Sequence, residues 1–85
     1  MQCSAEFMIE PWEHGNLDRV DAAVMALASC GLEVEIGAFA NTAQGDSETV
    51  LPALAHMLDE ALESGATMIT IQVRREGASP RTSIH

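Results

Sequence analysis

The two halves of the chain follow one plan: an alternating apolar strand, an amphipathic helix that stops at glycine, and a second alternating strand. The helix ends match closely, Ala28-Ser29-Cys30-Gly31-Leu32 in the first half and Leu62-Glu63-Ser64-Gly65-Ala66 in the second. A glycine just past the last turn supplies the left-handed residue on which many helices end. Two strand–helix–strand units in 85 residues point to one split-βαβ, ferredoxin-like α+β sandwich. Right-handed crossovers then give a four-stranded antiparallel sheet of order 4-1-3-2 with both helices on one face. That architecture serves many unrelated functions, so function has to be sought in the joining segment 37–46 and on the uncovered sheet face.

In the first strand Cys3, Ala5, Phe7 and Ile9 alternate with Ser4, Glu6, Met8 and Glu10, and Pro11 ends it because proline cannot donate to a ladder. Asn16 is the candidate N-cap of the first helix, with Asp18 in its first turn and an apolar stripe of Leu17, Val20, Val24, Leu27 and Ala28. Leu32, Val34 and Ile36 carry the second strand, and a short third strand is expected within 37–46. Asp46, Ser47 or Thr49 caps the second helix, whose stripe is Val50, Leu54, Met57, Leu58, Ala61 and Leu62. Thr49 in that role sets Pro52 at the third helical position, where no amide donor is needed. Ile69, Ile71 and Val73 carry the fourth strand. A single domain over 1–76 is expected, with a polar tail at 77–85.

A net charge of −9, from 13 acidic residues against four arginines, opposes nucleic-acid binding, which draws its affinity from phosphate neutralisation. The open sheet face would carry Glu6, Met8, Glu10, Glu33, Glu35, Thr70, Gln72 and Arg74. It lacks the stacking aromatics of an RNA-binding sheet. No apolar run approaches the roughly 18–20 residues of a membrane span, and no basic leader precedes an apolar stretch. No membrane partner is expected, and the expected location is the cytoplasm. Cys3 and Cys30 read as small buried hydrophobes, and His14, His56 and His85 share no metal-ligand spacing, so no metal or cofactor is expected. His14 is the sole candidate for acid–base chemistry and has no partner, so the chain is not expected to be an enzyme. The bare sheet face points to self-association as a homodimer or homotetramer.

Segment 37–46, Gly37-Ala38-Phe39-Ala40-Asn41-Thr42-Ala43-Gln44-Gly45-Asp46, gathers small residues, amides and a hydroxyl before a helix. Small residues let a ligand approach the backbone, and Asn41, Thr42 and Gln44 offer donors and acceptors. The same stretch also reads as a plain connection that needs Gly45 for a turn and Asp46 for a cap.

Ala5-Glu6-Phe7-Met8-Ile9-Glu10-Pro11, the Gly-Leu-Glu-Val-Glu-Ile-Gly step at 31–37 and Asn41-Thr42-Ala43-Gln44-Gly45-Asp46 together resemble the small thiamine-binding protein family. These are relatives of the YkoF-type hydroxymethylpyrimidine/thiamine-binding proteins, and the resemblance runs over residues 5–75. Met8 and Glu10 stand where many relatives have Ser and Tyr, Ala38 replaces the usual Pro, and Gln44 replaces Glu. The resemblance implies a ferredoxin-like fold, dimers or tetramers, and binding of the pyrimidine part of thiamine without catalysis. Carried onto matching positions, it implies Thr42 as the foremost ligand contact, with Asn41 beside it and Gly37, Gly45 and Asp46 matched; Thr42→Ala is then expected to lower affinity.

An aminopyrimidine needs an acceptor for its exocyclic amine, a donor for a ring nitrogen and an apolar wall. Thr42, Asn41 and Glu10 are the polar candidates, and Phe39, Trp12 and Met8 the wall. Glu10, Glu33 or Glu35 would suit a thiazolium cation. Trp12 is equally suited to a subunit interface. The rival reading is a regulatory or protein-interaction module that oligomerises through its open sheet face.

Overall fold

The computed structural model describes residues 1–11, 18–38 and 40–77. Six elements follow in order: β1 Gln2–Glu10, α1 Asp18–Ser29, β2 Val34–Ile36, β3 Asn41–Asp46, α2 Ser47–Glu63 and β4 Met68–Arg75. The strands form one antiparallel sheet in the order β2-β3-β1-β4, which is the expected order read from the other edge. Asn16 and Leu17, proposed as cap and stripe residues of the first helix, lie outside the described residues, as does the tail from 78 onward.

Strand alternation sorts the side chains between the two faces. Cys3, Ala5, Phe7 and Ile9 are buried under the helices, while Glu6 and Met8 are exposed on the other face and Ser4 and Glu10 are half-buried there. Ala5 pairs with Ala43 and Val73 across the helix side, and Glu6 pairs with Thr42 and Gln72 on the open side. Phe7, Leu27, Met57 and Val50 are the largest fully buried side chains.

The helix stripes are narrower and richer in alanine than expected. In α1 the buried residues are Ala23, Ala26 and Leu27; Val20 and Val24 are only half-buried, and Ala28 is exposed. In α2 they are Val50, Ala53, Leu54, Met57 and Ala61; Leu58 is half-buried, and Leu62 is 52% exposed. The helices pack on each other as well as on the sheet, and methyl-sized side chains let two helix backbones approach closely. β2 is shorter than the alternation suggested. Leu32 is buried before the strand begins, whereas Ile36 on β2 and Val73 on β4 are exposed at the two outer edges of the sheet.

Both helices end in the same hydrogen-bonded motif. In α1 Leu32 N–H donates to Leu27 C=O (3.2 Å) and Gly31 N–H to Ala28 C=O (2.9 Å); in α2 Ala66 N–H donates to Ala61 C=O (3.0 Å) and Gly65 N–H to Leu62 C=O (3.2 Å). Gly31 and Gly65 have φ of +87° and +110°, the left-handed conformation this motif requires. The residue after each glycine, Leu32 or Ala66, is buried. The repeat visible in the sequence is thus a repeat of one helix stop, each handing an apolar residue to the core.

At its other end α2 is capped by Asp46, whose carboxylate accepts from Glu48 N–H (3.0 Å) and from the Met1 ammonium (2.9 Å). The cap is therefore the earliest of the three candidates, and Pro52 falls at the sixth helical residue. There it leaves the Glu48 carbonyl without its helical donor. The Met1 ammonium, and then the Glu48 amide, hold the Asp46 carboxyl below the ordinary carboxylate range. A carboxylate with a depressed folded pKa contributes stability above the unfolded pKa of about 4 and loses it as pH falls through the folded value. Urea unfolding at pH 7 and pH 3 should therefore show a larger acid-induced loss in the native chain than in Asp46→Asn. Equal losses would mean that the charge does nothing for α2.

Candidate functional site

The ladders flanking β1 have different lengths. β1 pairs with β4 as far as Glu10↔Met68, but with β3 only as far as Phe7↔Asn41. Met8, Ile9 and Glu10 therefore run past the end of β3, and a cleft of about 520 Å³ opens beside them. Its other walls are Val20 and Asp21 from α1, and Ile36, Gly37, Ala38, Ala40 and Asn41 from the β2–β3 hairpin. Thr67 N–H donates to the Glu10 carbonyl (2.8 Å) on the β4 side. Alternation of a ladder turns the Ile9 N–H and C=O the other way, toward the cleft.

The hairpin wall is shaped by Gly37. Its N–H donates to Ala40 C=O (3.0 Å), and a Cβ at this position would lie 2.6 Å from the Ala40 carbonyl oxygen. Next in the chain to the cleft residues Val20 and Glu10 stand Arg19 and Pro11; Arg19 donates from Nη1 to Pro11 C=O and from Nε to Gly65 C=O, both at 3.2 Å. One guanidinium thus joins the exit of β1 to the C-terminal stop of α2, where the helix dipole favours a cation.

Chemically the cleft is an apolar slot with a few polar groups. Met8, Ile9, Val20, Ile36, Ala38 and Ala40 supply alkyl surface; Glu10 and Asp21 supply carboxylates; Asn41, only 8% exposed, supplies an amide. None of the described lining residues is cationic. The volume and the mixture of groups are those of a small-molecule site, with a negative field from its two carboxylates.

Of the residues singled out from sequence, Met8, Glu10, Gly37 and Asn41 line this one cleft. Thr42 does not. Successive strand residues point to opposite faces, so Asn41 turns toward the helix side while Thr42 stands on the open face, between Glu6 and Glu35. There it lines shallow grooves with Gln72 and Arg74 on one side and with Glu33 and Gln44 on the other. Trp12, His14 and Phe39 lie outside the described residues. Ala38 and Ala40 lie in the small-residue segment singled out from sequence, whereas sequence reasoning missed Asp21, Val20 and Ile36 as wall residues. Asp21 carried no local signal beyond a helix-surface carboxylate, and only the chain topology brings it against β1. The acidic group Asp59, Glu60 and Glu63 lies on α2, outside the cleft. No helix among the described residues is long and apolar enough to cross a membrane.

No family model matches the sequence, and no curated protein matches it. Solved structures do. A hypothetical protein from Methanocaldococcus jannaschii is similar with a TM-score of 0.68 and 18% identity, covering 94% of this chain and 84% of that one. A domain of unknown function (DUF77) from Bacillus cereus gives 0.63 and 20%, covering 86% and 72%. A Thermotoga maritima protein provisionally assigned to thiamine biosynthesis or salvage gives 0.62 and 17%, covering 86% and 80%. These likenesses establish the ferredoxin-like fold.

Because the Gly37 position has no room for a methyl group, Gly37→Ala should distort the hairpin wall and lower stability by about 1–3 kcal/mol. Thermal unfolding checks this, and an unchanged midpoint would show that the turn relaxes freely.

Proposed function

We propose that the chain is a non-catalytic small-molecule binder of the YkoF-related thiamine-binding type, taking thiamine or its hydroxymethylpyrimidine part in the cleft beside Met8, Ile9 and Glu10. The observation that carries this reading is the cleft itself, an alkyl-walled slot with two carboxylates and one buried amide. An aminopyrimidine can donate its exocyclic amine to Glu10 or Asp21 and accept at a ring nitrogen from the Asn41 Nδ2. Its ring faces then lie against Met8, Val20 and Ile36. The thiazolium cation of thiamine would gain from the same two carboxylates. Alkyl, amide and carboxylate groups suffice for recognition, and no step of chemistry is assigned to them. The fold likeness to a protein provisionally assigned to thiamine metabolism supports this choice of ligand over other amino-heterocycles.

The second part of the proposal concerns assembly. Both helices cover one face of the sheet, and the other presents a broad polar surface with Met8 and Met68 exposed at one end. Copies of the chain pack through this face, as a homodimer or homotetramer. An interaction module without a ligand is the rival, and it would use the same face.

Isothermal titration with thiamine and with hydroxymethylpyrimidine tests the ligand reading. Saturable binding is expected, weakened about tenfold by Asn41→Ala, which removes the buried amide, or by Glu10→Gln, which removes the charge of a half-buried carboxylate. Thr42→Ala should leave it unchanged. Loss of affinity in Thr42→Ala with none in the other two would move the ligand to the open face, and no binding by the native chain would favour the interaction module.

A further inference from the structure

The main chain of β1 is bonded to its two neighbours in turn. Ser47 N–H donates to the Met1 carbonyl (2.7 Å) on the β3 side, and Glu76 N–H to the Gln2 carbonyl (2.9 Å) on the β4 side. Along the strand, odd-numbered residues therefore turn their N–H and C=O toward β3 and even-numbered ones toward β4. Phe7 is the last odd-numbered residue with a β3 partner, because β3 begins at Asn41. Ile9 thus aims one N–H and one C=O into the cleft that it lines, and among the described residues neither has a partner there. Ile9 is only 5% exposed, and main-chain groups at so buried a position are nearly always paired.

This opening is one residue long. Beyond it Pro11 has no N–H to offer, and its C=O already accepts from Arg19 Nη1. An added peptide strand holds on through a ladder of main-chain bonds, which a single residue cannot supply. Val20 and Asp21 on one side and Gly37 and Ala40 on the other also wall the step in. The N–H and C=O of one extended residue leave the strand on the same side, donor beside acceptor. Their complement is the edge of a flat heterocycle that carries an amine next to an unsubstituted ring nitrogen.

We propose that the Ile9 main chain is the specificity-determining contact of the cleft. Its C=O accepts from the exocyclic amine of an aminopyrimidine, and its N–H donates to the ring nitrogen beside that amine. The proposal rests on the ligand reading above and deepens it. The second amine hydrogen is left for Glu10 or Asp21 and the far ring nitrogen for the Asn41 amide, so main chain and side chains read different atoms of one ring. An Asn side chain can turn over and a carboxyl can take up a proton, each exchanging acceptor for donor. A main-chain pair fixed in β1 can do neither. The cleft therefore selects amino-heterocycles with a free ring nitrogen next to the amine.

Chemical synthesis of the full chain with an ester in place of the Met8–Ile9 peptide bond removes this N–H and keeps every side chain. Isothermal titration with hydroxymethylpyrimidine should show affinity about tenfold weaker than that of the native chain, the cost of leaving one buried acceptor unpaired. Circular dichroism checks that the ester chain folds. Hydrogen exchange on the native chain gives a second reading that needs no variant. Saturating hydroxymethylpyrimidine should slow the Ile9 amide at least about tenfold more than the Ala5 amide, which the β1–β3 ladder already holds. Native binding with full affinity in the ester chain, or with Ile9 slowed no more than Ala5, would overturn the main-chain contact and leave the side-chain reading in place. No binding by the native chain would overturn both.

Discussion

The cleft exists because β1 is bonded on both sides over only part of its length. From Cys3 to Phe7 it has a partner on each side; from Met8 to Glu10, among the described residues, only β4 accompanies it. A sheet that stops unevenly must either cover the exposed step or present it. Here described residues of α1 and the β2–β3 hairpin wall it in around the 520 Å³ slot. The rest of the site follows from that step. Side chains of both faces, Met8 and Glu10 from one and Ile9 and Asn41 from the other, meet at the end of the sheet. Gly37 permits the tight turn that bounds the slot, and Arg19 ties the neighbouring main chain down.

The scaffold that holds this step is built from small residues. Ala5, Ala23, Ala26, Ala43, Ala53 and Ala61 are all buried, and Phe7 is the only aromatic side chain in the core of the described residues. A core of this kind draws its cohesion from close packing of helices and sheet more than from large apolar side chains. It needs its helices stopped at fixed points, which the paired glycine motifs at Gly31 and Gly65 do. The internal repeat in the sequence is thus a requirement of packing.

Much of this was legible in the residues. Strand alternation in Cys3–Ile9, the glycine stops and Pro11 set the element order, because each is a local signal whose meaning hardly depends on tertiary context. The helix stripes were read too broadly. Periodicity marks large apolar residues such as Val20 and Leu62 but is blind to alanines buried by close approach, as at Ala23 and Ala53. Of the site, Met8, Glu10, Gly37 and Asn41 were recoverable because they cluster where strands end. Asp21 was not, since helix α1 reaches β1 only through the fold. Thr42 came from the family resemblance with Asn41 beside it, and adjacency on one strand is the relation that separates two side chains onto opposite faces.

That separation puts Asn41 in the cleft and Thr42 on the open face, which is where the proposed ligand site and the proposed assembly surface part. The most direct test is a ¹⁵N–¹H correlation spectrum of the labelled protein titrated with hydroxymethylpyrimidine. Shifts concentrated at Ile9, Glu10, Asp21, Gly37 and Ala38, with Glu6, Thr42 and Gln72 unmoved, are what the cleft account predicts. Shifts centred on Glu6, Thr42 and Gln72, with the cleft residues silent, would contradict it.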